Sequence, residues 1–290
     1  MDERIGVIGL GRMGWALAVR LAGQGATVRG WTRSGVDIAE AVAAGFEGVG
    51  EMRNLVATSD VVVLSLFNDD AARDVLTQLS TLDLTGKLIV ETSTVSPNVV
   101  RDLFASIERA GGALVDAPIS GGPEMVEAGT VGMFVGGRDA DVARFLPVAA
   151  LVSDKVAHVG PLGAGASAKI VNNMVLTGMW EVLSEALETG AGLGLGLETM
   201  LGFLEKSPAA SPAFLQRMPV IKGESDAVGF SVSGIAKDAA LMVATSQELE
   251  REATALKAAL ARYEAMIGAD LGGQDLSTVL PHSVNAVLKK

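Results

Sequence analysis

A lysine and two asparagines lie close together near the start of a long apolar segment that follows a glycine-rich turn. Lys169, Asn172 and Asn173 are three and four residues apart, so on a helix they share one face. The next positions along that face, Leu176 and Trp180, are apolar. A lysine above an apolar stripe is partly desolvated, which disfavours its charged form and eases proton exchange. We therefore predict an acid–base role for Lys169; the alternative is a lysine whose stem extends to solvent.

A glycine-rich turn near the amino terminus has the spacing of a dinucleotide-binding loop. The apolar run 4–8 leads into Gly9-Leu10-Gly11-Arg12-Met13-Gly14, a helical pattern follows, and a second strand is predicted over 27–31. In this context Gly9 permits the tight turn, Gly11 lets the backbone approach the pyrophosphate, and Gly14 allows close helix packing. The amino terminus of the helix supplies N–H groups to the phosphates. All six residues are predicted cofactor contacts.

The end of the second strand indicates which nucleotide binds. An NAD site usually carries an acidic residue there, which accepts a hydrogen bond from the ribose 2′-hydroxyl. Here Trp31 is followed by Thr32, Arg33 and Ser34, and the first acid is Asp37. Arg33 can pair with a 2′-phosphate and Ser34 can donate to it. We therefore predict NADP (NADPH) as the cofactor and leave NAD open; the alternative for Arg33 is a solvated arginine in a surface turn.

Two further strands end in polar residues. The apolar run 61–66 reads as a buried parallel strand, and the strand predicted over 87–92 follows it. Ligands of open α/β sheets lie at the carboxyl ends of such strands. The predicted cofactor contacts at these two ends are Leu66, Phe67, Asn68, Ser93 and Thr94. Ser93 and Thr94 can alternatively cap the next helix.

A Ser-Gly-Gly sequence follows the next predicted strand, which runs over 113–118. Ser120, Gly121 and Gly122 would expose successive N–H groups and a hydroxyl, which together suit a carboxylate. An ordinary turn before a helix is the alternative, because serine and glycine favour turns in any case. The carboxylate cradle remains a hypothesis on these residues alone.

The pattern of elements divides the chain into two parts. Strands and helices alternate to about residue 160, which predicts a doubly wound α/β Rossmann fold over 1–162. From Gly165 the apolar spacing becomes helical, and an all-α domain is predicted over 163–290. A helix over 165–189 would join the two domains, and another is predicted from Phe230 to Ile267. Lys237 lies on the latter and either contacts a ligand or pairs with Asp238.

Composition excludes several classes of function. The 290 residues carry a formal charge of −11, so no basic stripe is available for nucleic acid. Without cysteine there is no disulfide framework or metal thiolate, and we predict no metal site. We expect no signal peptide before the first strand, no membrane-spanning run, and a cytoplasmic protein. The only two histidines, His158 and His282, are interpreted as structural.

Four stretches together resemble the β-hydroxyacid dehydrogenase family, which includes 3-hydroxyisobutyrate dehydrogenase, tartronate semialdehyde reductase and glyoxylate/succinic semialdehyde reductases. They are the glycine loop, the segment 116–122, the segment 163–173 and the segment 230–238, and they follow the family's order and spacing. The resemblance covers nearly the whole chain. It implies a Rossmann domain, an interdomain helix, an all-α domain, and a homodimer or homotetramer.

The resemblance also assigns roles to residues. Lys169 would be the catalytic residue, Asn173 would orient the substrate or the lysine, and Lys237 would line the site. The substrate carboxylate would be held by Ser120, Gly121 and Gly122. The expected reaction is hydride transfer between NADPH and a small aldehyde or ketone that carries a carboxylate.

One departure from the family pattern concerns the substrate. The family usually continues with small residues after Ser-Gly-Gly, whereas this chain has Pro123-Glu124-Met125-Val126. Imine reductases are related and share the Trp-x-Arg-Ser/Thr ending of the second strand, but they generally lack the lysine. Lys169 therefore favours carbonyl reduction, with imine reduction and a non-catalytic NADP-binding scaffold as alternatives.

Overall fold

The computed structural model describes residues 3–288 of the chain. The chain divides into two compact units, the first ending at Val171 and the second beginning at Asn172. Over its described residues, the first unit is built on a single sheet of nine strands. These strands are β1 (Arg4–Ile8), β2 (Thr27–Trp31), β3 (Glu47–Gly48), β4 (Val61–Leu64), β5 (Leu88–Glu91), β6 (Ala113–Asp116), β7 (Ile119–Ser120), β8 (Gly132–Gly136) and β9 (Lys155–Gly160).

The sheet has the strand order β3-β2-β1-β4-β5-β6-β8-β7, and β9 pairs with β8. The six strands β3-β2-β1-β4-β5-β6 run parallel to one another. Strand β8 is antiparallel to both β6 and β7. Every residue of β4 and β5 is buried, as expected where helices cover both faces of a parallel sheet. The register places Trp31, Ile8, Leu64, Glu91 and Asp116 along one edge. All loops that follow these strands therefore begin at the same edge of the sheet.

Seven helices accompany these strands in the described part of the first unit. They are α1 (Arg12–Gly23), α2 (Ile38–Ala43), α3 (Met52–Ala57), α4 (Asp69–Leu79), α5 (Pro97–Arg109), α6 (Pro123–Ala128) and α7 (Asp139–Val152). Two hydrophobic cores form: one includes Val7, Leu17 and Phe145, the other Leu64, Leu76 and Val100. The predicted doubly wound fold is thus confirmed.

The second unit is helical. Helix α8 (Ala164–Gly192) begins in the first unit and continues into the second, and the remaining α-helices are α9 (Leu197–Leu204), α10 (Pro212–Gln216), α11 (Met218–Ile221), α12 (Val232–Glu248), α13 (Thr254–Gly268) and α14 (Val279–Leu288). Its core includes Trp180, Phe214 and Tyr263. No helix among residues 3–288 is both long and apolar enough to cross a bilayer.

Two details of the sequence prediction are wrong. The single helix predicted from Phe230 to Ile267 is a pair, α12 and α13, separated at Leu249–Ala253, where Glu250 adopts a left-handed φ of 56°. Ser120 is not in a turn but ends the short strand β7, which pairs with β8. The predicted domain boundary at 162/163 stays a prediction; the division at 171/172 falls inside α8.

Candidate active site

The glycine loop connects β1 to α1 and is shaped by close backbone contacts. Gly9 has a φ of +93°, and a Cβ built on it would lie 2.2 Å from the Ser65 carbonyl oxygen. A Cβ on Gly14 would lie 1.8 Å from the Gly9 carbonyl oxygen. By contrast, a Cβ on Gly11 would meet no described protein atom within 4 Å. Gly9 and Gly14 are therefore required by the protein itself, whereas the space beside Gly11 is open.

The space at Gly11 fits the phosphates of a dinucleotide. Gly11 is the N-cap of α1 and has no side chain to accept the N–H groups of the first helical turn. Those groups, with the positive end of the helix, suit an anion that approaches the backbone closely. The loop thus has the shape and the donors that a pyrophosphate needs.

The end of β2 places Thr32, Arg33 and Ser34 in a turn beside the glycine loop. The Gly9 N–H donates to the Trp31 carbonyl at 2.8 Å, which joins the two loops. Arg33 and Ser34 are exposed, and Thr32 is half-buried. The first downstream acid, Asp37, accepts from the Glu40 N–H at 3.0 Å and caps α2. Asp37 is thus engaged in a local helix cap, which leaves the arginine as the charged residue at this strand end.

Hydrogen bonds join the loops after β4 and β5. The Ser93 hydroxyl oxygen accepts from the Leu66 N–H at 2.7 Å, and the Ser93 N–H donates to Glu91 Oε1 at 2.7 Å. Asn68 caps α4 by accepting from the Ala71 N–H. The cap of α5 is Ser96, so the capping alternative for Ser93 and Thr94 is wrong. Phe67, in the loop after β4, is 66% exposed.

Glu91 is a fully buried acid at the end of β5. One carboxylate oxygen accepts from Ser93, while Oε2 has no hydrogen-bond partner within the described structure. Burial, with smaller contributions from the negative charges of Asp116 and Asp69, raises the pKa of Glu91 from 4.5 to about 7. The group therefore changes charge near neutral pH.

Stability should decline as the pH rises across the titration of Glu91. Between pH 4.5 and 7 the folded chain keeps a proton that the unfolded chain has released, so the free energy of unfolding falls with pH. The total loss should be roughly 3 kcal/mol, at about 1.4 kcal/mol per unit of pKa shift. Glu91→Gln should remove this dependence, as measured by urea unfolding from pH 5 to pH 8.

Asp60→Asn is the control for that experiment. Asp60 lies at the other end of the sheet, where Arg4 lowers its pKa to about 2, so it stays ionised over the whole range. The control should therefore keep the wild-type pH slope. An unchanged slope in Glu91→Gln would contradict the assignment to Glu91.

The Ser-Gly-Gly segment links β7 to α6. Ser120 is half-buried and ends the strand, Gly121 has a φ of +145°, and Gly122 is the N-cap of α6. A Cβ on Gly121 would lie 2.8 Å from Val131 Cγ1, so this position also favours glycine for steric reasons. Nη2 of Arg12, in the glycine loop, lies 3.8 Å from Oε1 of Glu124 in α6, and both side chains are largely exposed. The Ser-Gly-Gly segment and the glycine loop are therefore neighbours.

Lys169 lies in the second turn of α8 and is 8% exposed. The first turn of this helix is bonded to Asp116, the last residue of β6, which is 1% exposed. Asp116 accepts from the Gly163 N–H and from the Ala166 N–H, each at 2.7 Å. Burial raises the pKa of Asp116, although these two donors oppose the shift. Lys169 is thus a buried residue on a helix whose first turn is bonded to the carboxyl end of β6, at the sheet edge where the glycine loop also begins.

In the second unit, a buried acid connects the two other predicted substrate residues. Asp238 is 2% exposed and accepts from Asn173 Nδ2 at 2.8 Å. Its second carboxylate oxygen lies 2.7 Å from Lys237 Nζ. Asn172 donates to Asn173 Oδ1 at 3.1 Å. The pairing of Lys237 with Asp238 that the sequence suggested is present, and the acid of the pair is buried.

Comparisons with known proteins identify the family. Residues 4–160 match the family described as the NAD binding domain of 6-phosphogluconate dehydrogenase, and residues 163–282 match that described as NAD-binding of NADP-dependent 3-hydroxyisobutyrate dehydrogenase. The 2-(hydroxymethyl)glutarate dehydrogenase of Eubacterium barkeri is 32% identical over 281 residues, covering 96% of this chain and 93% of the relative. The chain belongs to the β-hydroxyacid dehydrogenase family.

Solved structures agree with this assignment. The 3-hydroxyisobutyrate dehydrogenase of Mycobacterium tuberculosis, solved with L-serine, matches with a TM-score of 0.86 and 28% identity over 97% of this chain and 99% of that chain. An imine reductase from Pseudomonas sp. matches with a TM-score of 0.66 and 18% identity over 97% of this chain and 99% of its own, which shows a shared fold alone. The protein is therefore a pyridine-nucleotide-dependent dehydrogenase.

Sequence reasoning gave no role to two buried acids of this dehydrogenase. Glu91 and Asp116 are the last residues of adjacent buried strands, and each organises a loop or helix of the candidate site. The signal was present, because an acid that ends a run of buried apolar residues must find hydrogen-bond donors. The histidine interpretation stays a prediction; His158 is exposed, and its Nε2 lies 3.0 Å from the Gly160 carbonyl oxygen.

Proposed function

We propose that this dehydrogenase transfers a hydride between NADPH and a small aldehyde or ketone that carries a carboxylate. The observation that carries the proposal is the burial of Lys169 on a helix anchored at the carboxyl edge of the nucleotide-binding sheet. A desolvated amine at that edge has the properties of a proton donor and acceptor. The cofactor, when bound, supplies or accepts the hydride.

The proposed mechanism divides the work among this chain's own residues. Lys169 as an ammonium gives a proton to the substrate oxygen during reduction, and as an amine takes the proton during oxidation. Ser120, Gly121 and Gly122 hold the substrate carboxylate through the hydroxyl and backbone N–H groups. Asn173 and Lys237 are proposed substrate contacts in the second unit, where Asp238 holds both of their side chains.

The choice of NADPH over NADH rests on the end of β2. Arg33 and Ser34 are exposed there, and Asp37 is engaged in capping α2. Thr32, the glycine loop and the ends of β4 and β5 provide the proposed contacts to the rest of the nucleotide. These contacts are Gly9, Leu10, Gly11, Arg12, Met13, Gly14, Thr32, Leu66, Phe67, Asn68, Ser93 and Thr94.

Arg33→Ala should lower kcat/KM for NADPH by about 10–100-fold, because hydrogen bonds to charged groups contribute about 1.5–3 kcal/mol. The value for NADH should change by less than about threefold, since NADH has no 2′-phosphate. Steady-state kinetics with both cofactors provide the measurement. Arg53→Ala is the matched control, because Arg53 is an exposed arginine that pairs with Glu51. A wild-type enzyme that prefers NADH would refute the proposed cofactor.

The substrate class is tested by following NADPH oxidation with glyoxylate, succinic semialdehyde and cyclic imines, and NADP reduction with 3-hydroxyisobutyrate and L-serine. Turnover of the carboxylate-bearing carbonyls or hydroxyacids, without turnover of cyclic imines, is the expected result. Turnover of imines alone would assign the chain to the imine reductase alternative. Tight NADPH binding without any turnover would favour the non-catalytic scaffold.

A further inference from the structure

The first turn of α8 is held by an acceptor that lies far away in sequence. The N–H groups at the start of a helix have no partners within the helix. In a capping box, side chains of the helix itself satisfy the N-cap and N3 groups. Here Asp116 satisfies both the Gly163 and the Ala166 N–H groups from the end of β6, one with each carboxylate oxygen. A single side chain of the sheet therefore determines where α8 begins.

The backbone of this turn approaches its neighbours closely. A Cβ on Gly165 would lie 2.4 Å from the Phe134 carbonyl oxygen and 2.7 Å from the Asp116 carbonyl oxygen. A Cβ on Gly136, in β8, would lie 2.5 Å from Asp116 Oδ1. Arg101 closes another side, because its Nε would lie 2.6 Å from a Cβ on Gly163. Gly136 and Gly165 therefore allow α8 to pack closely against the sheet.

Lys169 follows Ala166 by three residues, so the anchored turn determines where its backbone lies. We propose that Asp116 is a positioning residue for the reaction: by fastening the first turn of α8 to the carboxyl ends of β6 and β8, it sets the location of the Lys169 amine relative to the cofactor loops. The inference rests on the proposed acid–base role of Lys169. A displacement of about 1 Å at such a group can reduce the rate by about 100-fold.

Asp116→Asn tests the proposal in two backgrounds, the wild type and Lys169→Ala. Asparagine keeps the shape of the side chain, but its amide group turns a second donor towards one of the two N–H groups. With NADPH and the member of the substrate panel that turns over fastest, kcat should fall by about 10–100-fold while the KM for NADPH stays within about twofold. In the Lys169→Ala background the further fall should be less than about threefold, because the residue through which Asp116 acts is gone.

The two possible failures are distinguishable in this cycle. If Asp116→Asn slows turnover equally in both backgrounds, Asp116 is merely structural and the inference is wrong. If Lys169→Ala turns over like the wild type, the proposed function itself fails. Asp116→Ser, which is smaller and also uncharged, replaces the asparagine variant should that variant not fold.

A second readout needs no turnover. Labelling of Lys169 by acetic anhydride and amide hydrogen exchange over 164–169 are followed by peptide mass spectrometry. Asp116→Asn should speed exchange in this turn by about fivefold or more and change the labelling rate of Lys169 at least about threefold, since loss of a capping contact raises the population of the opened turn. Asp60→Asn removes a carboxylate bonded to the Arg4 N–H and guanidinium at the opposite end of the sheet, and it should change neither quantity. Unchanged labelling of Lys169 in Asp116→Asn would overturn the proposal.

Discussion

Replacement of Lys169 by alanine is expected to lower kcat by about 10²–10⁴-fold, which is the usual contribution of general acid–base catalysis. NADPH binding, followed by the change in nicotinamide fluorescence, should survive because the proposed nucleotide contacts lie on other loops. The large fall in kcat is expected because Lys169 is buried and its helix starts at the edge of the sheet where those loops lie. No other lysine is proposed to exchange a proton with the substrate.

Two further variants separate proton transfer from charge and from folding. Lys169→Arg keeps the positive charge but cannot release a proton near neutral pH, so it should fail to restore oxidation of a hydroxyacid. Lys87→Ala removes a half-buried lysine that donates to the Ser59 carbonyl at the far end of the sheet, and it should reduce stability while kcat is preserved. Near-wild-type turnover in Lys169→Ala would remove this residue from the mechanism.

The second large effect is expected at Gly11, whose surroundings differ from those of Gly14. Gly11→Ala should weaken NADPH binding by at least about tenfold, since the added methyl group would enter the space proposed for the pyrophosphate. Its Tm should stay close to that of the wild type, because no described protein atom lies within 4 Å of that Cβ. Fluorescence titration and thermal unfolding measure the two quantities on the same sample.

Gly14→Ala is the matched comparison for the glycine loop. The same methyl group at Gly14 would lie 1.8 Å from the Gly9 carbonyl oxygen, so α1 must move away from the turn. We expect a loss of several kcal/mol in stability, as for other overpacked sites, together with the loss of binding. If Gly11→Ala bound NADPH like the wild type, the open space beside it would not be the pyrophosphate site.

Much of the first unit could be predicted because local patterns and tertiary structure agree there. The run of valines in β4 predicts a buried strand and forms one, and the glycine spacing predicts the loop between β1 and α1. The family resemblance is likewise confirmed by the matches over residues 4–160 and 163–282. The assigned roles of Lys169, Ser120 and Asn173 stay predictions that the experiments above address.

What could not be predicted depends on contacts between distant segments. The acceptor for α8 is a residue about fifty positions upstream, so no local rule connects Asp116 to Ala166. The break between α12 and α13 is likewise not visible in the apolar spacing, because the left-handed residue there is Glu250 rather than a glycine. Non-local hydrogen bonds and unusual backbone conformations are the two kinds of feature that periodicity does not report.

The short helix α6 has a consequence for engineering the proposed substrate-binding segment. Its six residues lie between Gly121, with a φ of +145°, and Gly129, whose φ is +73° and whose Cβ would meet Arg20 Nη2 at 2.4 Å. Because both end positions favour glycine, the sequence between them can be varied separately from them, provided that the buried Val126 and the partly buried Met125 stay apolar. Libraries restricted to positions 123–125, with an apolar residue kept at 125, would therefore change the residues beside the Ser-Gly-Gly segment while Gly121 and Gly129 are retained.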